Sequence, residues 1–171
     1  MHINRLLIIL VLAMAGLTPA LAKPLPQEMK LIGEAELKVL WFRVYNARLE
    51  SPQGAFISAS MPLLLTLEYQ RDISKQELLE ETRKQWQRAG IEPYDQTAWL
   101  ASLTELWPDI RRNDSLGFYQ DADGDGHFYY NQRYLGSIRN SRFSRAFLDI
   151  WLSENSDFPQ LTQQLTGRSS E

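Results

Sequence analysis

The chain has 171 residues, 18 Lys+Arg against 21 Asp+Glu, a formal charge of -3 and no cysteine. That balance offers no basis for tracking a phosphate backbone, which excludes a nucleic-acid binder. The missing thiols exclude disulfide staples, a thiol nucleophile, thiolate metal sites and lipid attachment through cysteine.

Residues 1–22 read MHINRLLIILVLAMAGLTPALA, with Arg5 before an apolar run over 6–17 and small residues up to Ala20-Leu21-Ala22. This pattern predicts a secretory signal peptide cut after Ala22, since the run is shorter than the roughly 20 residues of a membrane span. An uncleaved N-terminal anchor is the alternative. No other segment reads as a span, so residues 23–171 are expected to form one soluble domain, periplasmic or secreted. Removal of the signal also removes His2 and leaves His127 as the single imidazole. That excludes multi-histidine metal sites.

Over 31–39 the odd positions Leu31, Gly33, Ala35, Leu37 and Val39 are apolar or small, while Glu34, Glu36 and Lys38 alternate with them. Period two predicts a strand with one wet face. A second strand over 41–49 places Trp41, Arg43, Tyr45, Ala47 and Leu49 on one face. Ser51-Pro52-Gln53-Gly54 reads as a turn, and Leu63, Leu65, Leu67 and Tyr69 share a face of a third strand. Ser74-Lys75-Gln76-Glu77 is a capping box that opens a helix to about Ala89 before Gly90, with Leu78, Thr82 and Trp86 spaced by four. A second helix follows Asp95 with Trp99, Leu100, Leu103, Leu106 and Trp107 inward, and Pro108 stops it. Strand patterns return over 116–120, 127–131 and 133–138. Asn140-Ser141 then caps a helix with a broad apolar face of Phe143, Ala146, Phe147, Ile150 and Trp151, and Pro159 starts a short last helix ended by Gly167.

Several residues are candidates for chemistry. Asp121-Ala122-Asp123-Gly124-Asp125-Gly126 matches the first half of a calcium loop, which makes Asp121, Asp123 and Asp125 weak metal candidates. Position twelve is Gln132 where a bidentate glutamate is required, and strands flank the loop where helices belong, so a hairpin turn is the expectation. His127, at the edge of that turn, reads as an exposed turn histidine, and no serine elbow accompanies it. Glu34 and Glu36 share their face with Lys38 and read as a solvated ion-pair face. Arg43 is the sharper case. If the face it shares with Trp41 and Tyr45 turns inward, the guanidinium must pair with an acid or clamp an anion beside the Tyr45 hydroxyl. Trp41, Arg43 and Tyr45 are therefore the candidate ligand-binding residues.

Five segments carry a resemblance. They are Gly33 with Trp41-Phe42-Arg43-Val44-Tyr45-Asn46-Ala47-Arg48-Leu49; Pro62-Leu63-Leu64-Leu65-Thr66-Leu67-Glu68-Tyr69; Leu106-Trp107-Pro108-Asp109-Ile110; Phe128-Tyr129-Tyr130-Asn131 with Leu135-Gly136-Ser137-Ile138; and Phe147-Leu148-Asp149-Ile150-Trp151-Leu152. In this order the chain resembles the bacterial chalcone isomerase-like family of exported proteins. The resemblance implies an α+β fold, an open-faced β-sandwich with a large antiparallel sheet covered on one side by helices and a ligand cleft between them. In that family catalytic members carry an arginine on the first conserved strand, and fatty-acid-binding members hold a carboxylate with an arginine and a tyrosine. The matching strand here reads Glu36-Leu37-Lys38 without arginine, Tyr45 falls near the second ligand-binding position, and Asn131-Gln132 replaces the usual Asn-Gly. The resemblance thus implies a non-catalytic binder of an amphipathic small molecule such as a fatty acid or a phenolic compound. An intramolecular lyase or isomerase of the chalcone isomerase type is the alternative. No cofactor, no nucleic acid and no stable membrane insertion after signal cleavage are expected.

Overall fold

The computed structural model describes residues 24–168, so the expected signal peptide and its cleavage position lie outside the described residues. Six strands and four helices follow in the order β1 (Lys30–Val39), β2 (Phe42–Ser51), β3 (Leu63–Tyr69), α1 (Lys75–Arg88), α2 (Pro93–Leu106), β4 (Ser115–Gln120), β5 (Gly126–Tyr130), β6 (Arg133–Ile138), α3 (Ser141–Leu152) and α4 (Pro159–Thr166). The strands form one antiparallel sheet in sequence order. A sheet with one apolar face must bury it, and the four helices supply that cover.

Local signals and tertiary contacts agree over most of the chain. The Ser74 hydroxyl accepts the Glu77 N–H and the Glu77 carboxylate accepts the Ser74 N–H, which closes the capping box of α1. The Asn140 side chain accepts the Phe143 N–H at the start of α3, and Gly167 ends α4 in the left-handed conformation with φ 67°. Between sheet and helices lies a continuous layer of rings. Phe118 of β4 is 4.7 Å from Phe147 and 5.0 Å from Phe128 between ring centres, and Trp86 is 5.4 Å from Trp99 and 6.1 Å from Phe143. The Trp86 indole N–H donates to the Ala146 carbonyl at 3.0 Å, so even this fully buried ring has its polar edge satisfied. Trp99, Trp107 and Trp151 belong to the same core.

Two bulges in the β1–β2 pair set which of its residues reach that layer, and a third irregularity lies between β5 and β6. Leu31 pairs Glu50 and Gly33 pairs Leu49, so Ile32 is an extra residue in β1; Leu37 pairs Tyr45 and Lys38 pairs Arg43, so Val44 is an extra residue in β2. A bulge reverses the alternation beyond it. Between the two, Ala35, Leu37, Tyr45, Ala47 and Leu49 are buried as the period predicts. Outside them Leu31 is exposed and Arg43 turns to the outer face, which corrects the simple alternation read for both strands. Gly33 lies under α4, where an added Cβ would stand 2.1 Å from the Gln164 carbonyl oxygen, so only glycine permits the helix to rest directly on β1.

Candidate functional site

The three residues expected to share a ligand-binding face are separated. Tyr45 is buried, and its hydroxyl oxygen accepts the Trp151 indole N–H at 2.8 Å. Its ring meets Tyr69 edge-on at 5.7 Å. Burial pushes the hydroxyl pKa of both tyrosines far up, so they are neutral hydroxyls and not phenolate bases at physiological pH. Arg43 lies on the outer face and pairs Glu36 at 2.9 Å, with Lys38 on the same carboxylate at 2.8 Å. The Lys38 hydrogen bond holds the Glu36 carboxyl below the usual range. Trp41 is 80% exposed at the tip of the β1–β2 hairpin. An Arg43–Tyr45 clamp is therefore not assembled, because the Val44 bulge sends the two side chains to opposite faces of the sheet.

Glu34, Glu36 and Lys38 do form the ion-pair face read from the sequence. Arg48 joins it by bridging Glu34 at 3.1 Å and Glu50 at 3.3 Å. This face borders a groove of about 1130 Å³ along the β1 edge, lined on the sheet by Glu34, Glu36, Lys38, Asn46, Arg48, Thr66 and Glu68 and at the start of α4 by Asp157, Phe158, Pro159, Gln160, Leu161 and Gln164. Its rim carries four carboxylates against two cations, both of them already paired. Sequence reasoning missed this groove because α4 is more than a hundred residues from β1 in the chain. The signal that could have pointed to it was Gly33, the small residue on which the helix rests.

The Asp121 to Gly126 segment is the β4–β5 hairpin connection. One Asp121 carboxylate oxygen accepts the backbone N–H groups of Asp123 and Asp125, both at 3.0 Å, and the other lies 2.7 Å from His127 Nε2. Burial raises the Asp121 pKa, but the His127 and backbone hydrogen bonds outweigh it and keep the carboxyl below its usual range. Asp121 thus braces the turn from inside. Among the described residues no group of three or more His, Asp or Glu is arranged to hold a metal ion. His127 is not the exposed turn residue the sequence implied. It lies in β5, within the strand that the sequence pattern gives over 127–131. It is buried on the outer face between Tyr119 and Tyr134, at ring distances of 5.9 and 6.5 Å. On the same face the Tyr129 hydroxyl donates to the Pro24 carbonyl at 3.3 Å, and burial pushes its pKa up to about 12.

A six-stranded antiparallel sheet with one helical layer, tyrosines in the sandwich interior and a groove beside β1 defines an open-faced α+β sandwich. The chalcone isomerase-like family model matches residues 19–167, and the chain belongs to that family. An uncharacterized protein of Haemophilus influenzae is 30% identical over 138 residues, which span 81% of this chain and 68% of that protein. Among solved structures, a fatty-acid binding protein of Arabidopsis thaliana superposes with a TM-score of 0.62 at 14% identity, over 81% of this chain and 88% of that one. At that identity the likeness is one of fold.

Proposed function

We propose that this protein is an exported, non-catalytic binder of an amphipathic small molecule, and that the groove along β1 and α4 takes the ligand. The observation that carries this reading is the distribution of charge: among the described residues no lysine or arginine is buried, and the buried Tyr45 and Tyr69 hydroxyls are neutral. Isomerase chemistry of this fold family develops negative charge on a substrate oxygen, and a cation next to a tyrosine must meet it inside the site. Binding requires only shape and an apolar wall, which Phe158, Pro159 and Leu161 supply here. Export is supported by the pattern of residues 1–22.

Two ligand classes fit an amphipathic site. The fold likeness to a fatty-acid binding protein supports a fatty acid. The groove itself favours a phenolic compound, since its carboxylates outnumber its cations and accept hydrogen bonds from hydroxyls while repelling a carboxylate head. Calorimetric titration with palmitate and with a polyphenol, on wild type and on Gln160→Trp, tests the proposal. One-to-one binding of either compound, weakened at least about tenfold when the exposed Gln160 is replaced by a ring that fills the groove, is the expected result. Turnover of a chalcone to a flavanone above the spontaneous rate, abolished in Tyr45→Phe, would replace the binder with a lyase.

A further inference from the structure

Of the seven large apolar side chains exposed among the described residues, four are consecutive: Val39 at 50%, Leu40 at 76%, Trp41 at 80% and Phe42 at 62%. Ile57 and Tyr94 stand singly, as exposed apolar residues commonly do. The four form the apex of the β1–β2 hairpin, and Leu40 there adopts φ 58°, a left-handed conformation costly for a branched residue and ordinarily given to glycine or asparagine. A tight turn made from leucine, tryptophan and phenylalanine costs both conformational energy and solvation.

The surroundings of the apex narrow its use. The register places the start of β2, the end of β3, the start of β4 and the β5–β6 turn at the same end of the sheet: Val39 pairs Phe42, the Gln70 N–H donates to the Val44 carbonyl, the Asn113 N–H to the Tyr69 carbonyl, and Tyr130 pairs Arg133. That end carries the exposed cations Lys38, Arg43, Arg71, Arg111, Arg112 and Arg133. Several acids at this end carry structural bonds, and Glu68 and Asp109 stand there as well. Glu36 bridges Lys38 and Arg43, Glu77 faces Arg71, Asp72 accepts the Arg112 N–H, and Asp114 accepts the Arg111 N–H and the Tyr130 hydroxyl. Arg112 and Arg133 make no ion pair among the described residues. On a chain of charge -3, this end joins an apolar projection at the β1–β2 edge of the sheet to guanidinium and ammonium groups along the strand ends beside it.

We propose that the β1–β2 hairpin tip is a membrane-contact element that enters the interface of an anionic phospholipid bilayer and holds the protein there reversibly. Tryptophan and phenylalanine favour the boundary between headgroups and acyl chains, and lysine and arginine around them meet lipid phosphates with their stems in the same layer. The size of the apex argues against a second copy of this chain as its cover. The apex is convex and exposes on the order of 500 Å² of ring and aliphatic surface, so two copies meeting tip to tip would bury less than a standard protein interface. A bilayer closes around a projection of any shape and needs no complementary pocket. The contact is independent of whatever the groove binds.

The test uses the internal probe. Trp86, Trp99, Trp107 and Trp151 are all buried, so Trp41 is the tryptophan that lipid can reach. Protein isolated from its own cells is titrated with vesicles of phosphatidylglycerol and phosphatidylethanolamine that contain brominated acyl chains, and separately with phosphatidylcholine vesicles. The expected result is quenching and a blue shift of tryptophan emission with the anionic vesicles, reduced by high salt. Leu40→Ser with Phe42→Ser should weaken vesicle affinity at least about tenfold while far-UV circular dichroism is unchanged. Arg112→Glu with Arg133→Glu should weaken it by at least about tenfold at low salt and abolish the preference for anionic lipid. Emission unchanged by either lipid would overturn the proposal, as would a dimer in sedimentation that dissociates in the Leu40→Ser, Phe42→Ser variant, since the tip would then be covered by a second copy.

Discussion

From Tyr45 to Ser51, β2 runs beneath helices and every inward side chain is buried, whereas at Phe42 and Arg43 the same strand, and Trp41 in the turn before it, have left the helical cover and face solvent. Tyr45 and Arg43 are two residues apart and differ completely in partner: an indole in the core for one, an exposed carboxylate for the other. The difference comes from a single inserted residue, Val44, which reverses the alternation, and from where the helices end. A period of two holds only as far as the ladder is regular and the opposite layer is present.

The contrast can be broken most strongly from its buried side. Phe147→Ala removes a ring that touches Phe118, Phe128, Phe143 and Trp151, and should cost about 3–5 kcal/mol in urea unfolding. A loss under about 1 kcal/mol would mean that the ring layer is loosely packed. Gly33→Ala forces a methyl group against the α4 carbonyls and should cost about 3 kcal/mol, with α4 losing hydrogen-exchange protection first. Tyr45→Phe strips the acceptor from the Trp151 indole N–H and leaves a buried donor unpaired, an expected loss of about 1–3 kcal/mol measured by denaturant midpoint at constant slope.

Acid titration separates the turns from the core. The Asp114 carboxyl is held below its usual range by the Tyr130 and Asn131 hydrogen bonds, and Asp121 is lowered as well. A depressed native pKa contributes stability that is present above the unfolded value near about 3.9 and is lost as pH falls through the native value. Melting temperature should therefore drop from pH 5 toward pH 2, and Asp114→Asn should lower it at pH 7 with little further effect at pH 2. The smallest effect belongs to the exposed end of β2. Arg43→Ala breaks a solvated pair with Glu36 and should move the melting temperature by less than about 2 °C, while a drop comparable to that of Tyr45→Phe would show that Arg43 supports the fold.

Much of the fold was legible because its signals are local. The capping box at Ser74, the Pro108 stop, the Asn140 cap and the Leu63 to Tyr69 alternation each act within one turn or one strand, and each forms as read. The candidate site was legible only in part. The ion-pair face of Glu34, Glu36 and Lys38 follows from alternation, but the groove beside it needs α4, placed there by Gly33 across the whole chain. His127 stands at the start of a strand pattern next to a polar turn and reads as exposed, and only the Tyr119 and Tyr134 rings that the sheet brings beside it bury it.

By itself the sequence determined the element order, the inward sets on the regular stretches of strand and helix, and membership of a sheet-and-helix sandwich, since period, caps and breakers are properties of neighbours in the chain. The tertiary structure alone decided the bulges of the β1–β2 pair and the end of the helical cover. Those features separate Arg43 from Tyr45 and leave Leu40, Trp41 and Phe42 in solvent, while the pairing of β5 with β4 and β6 sets Tyr119 and Tyr134 against His127. Bulges and cover depend on how distant strands fall into register and on how far a helix reaches over them, and neither quantity is carried by any local run of residues.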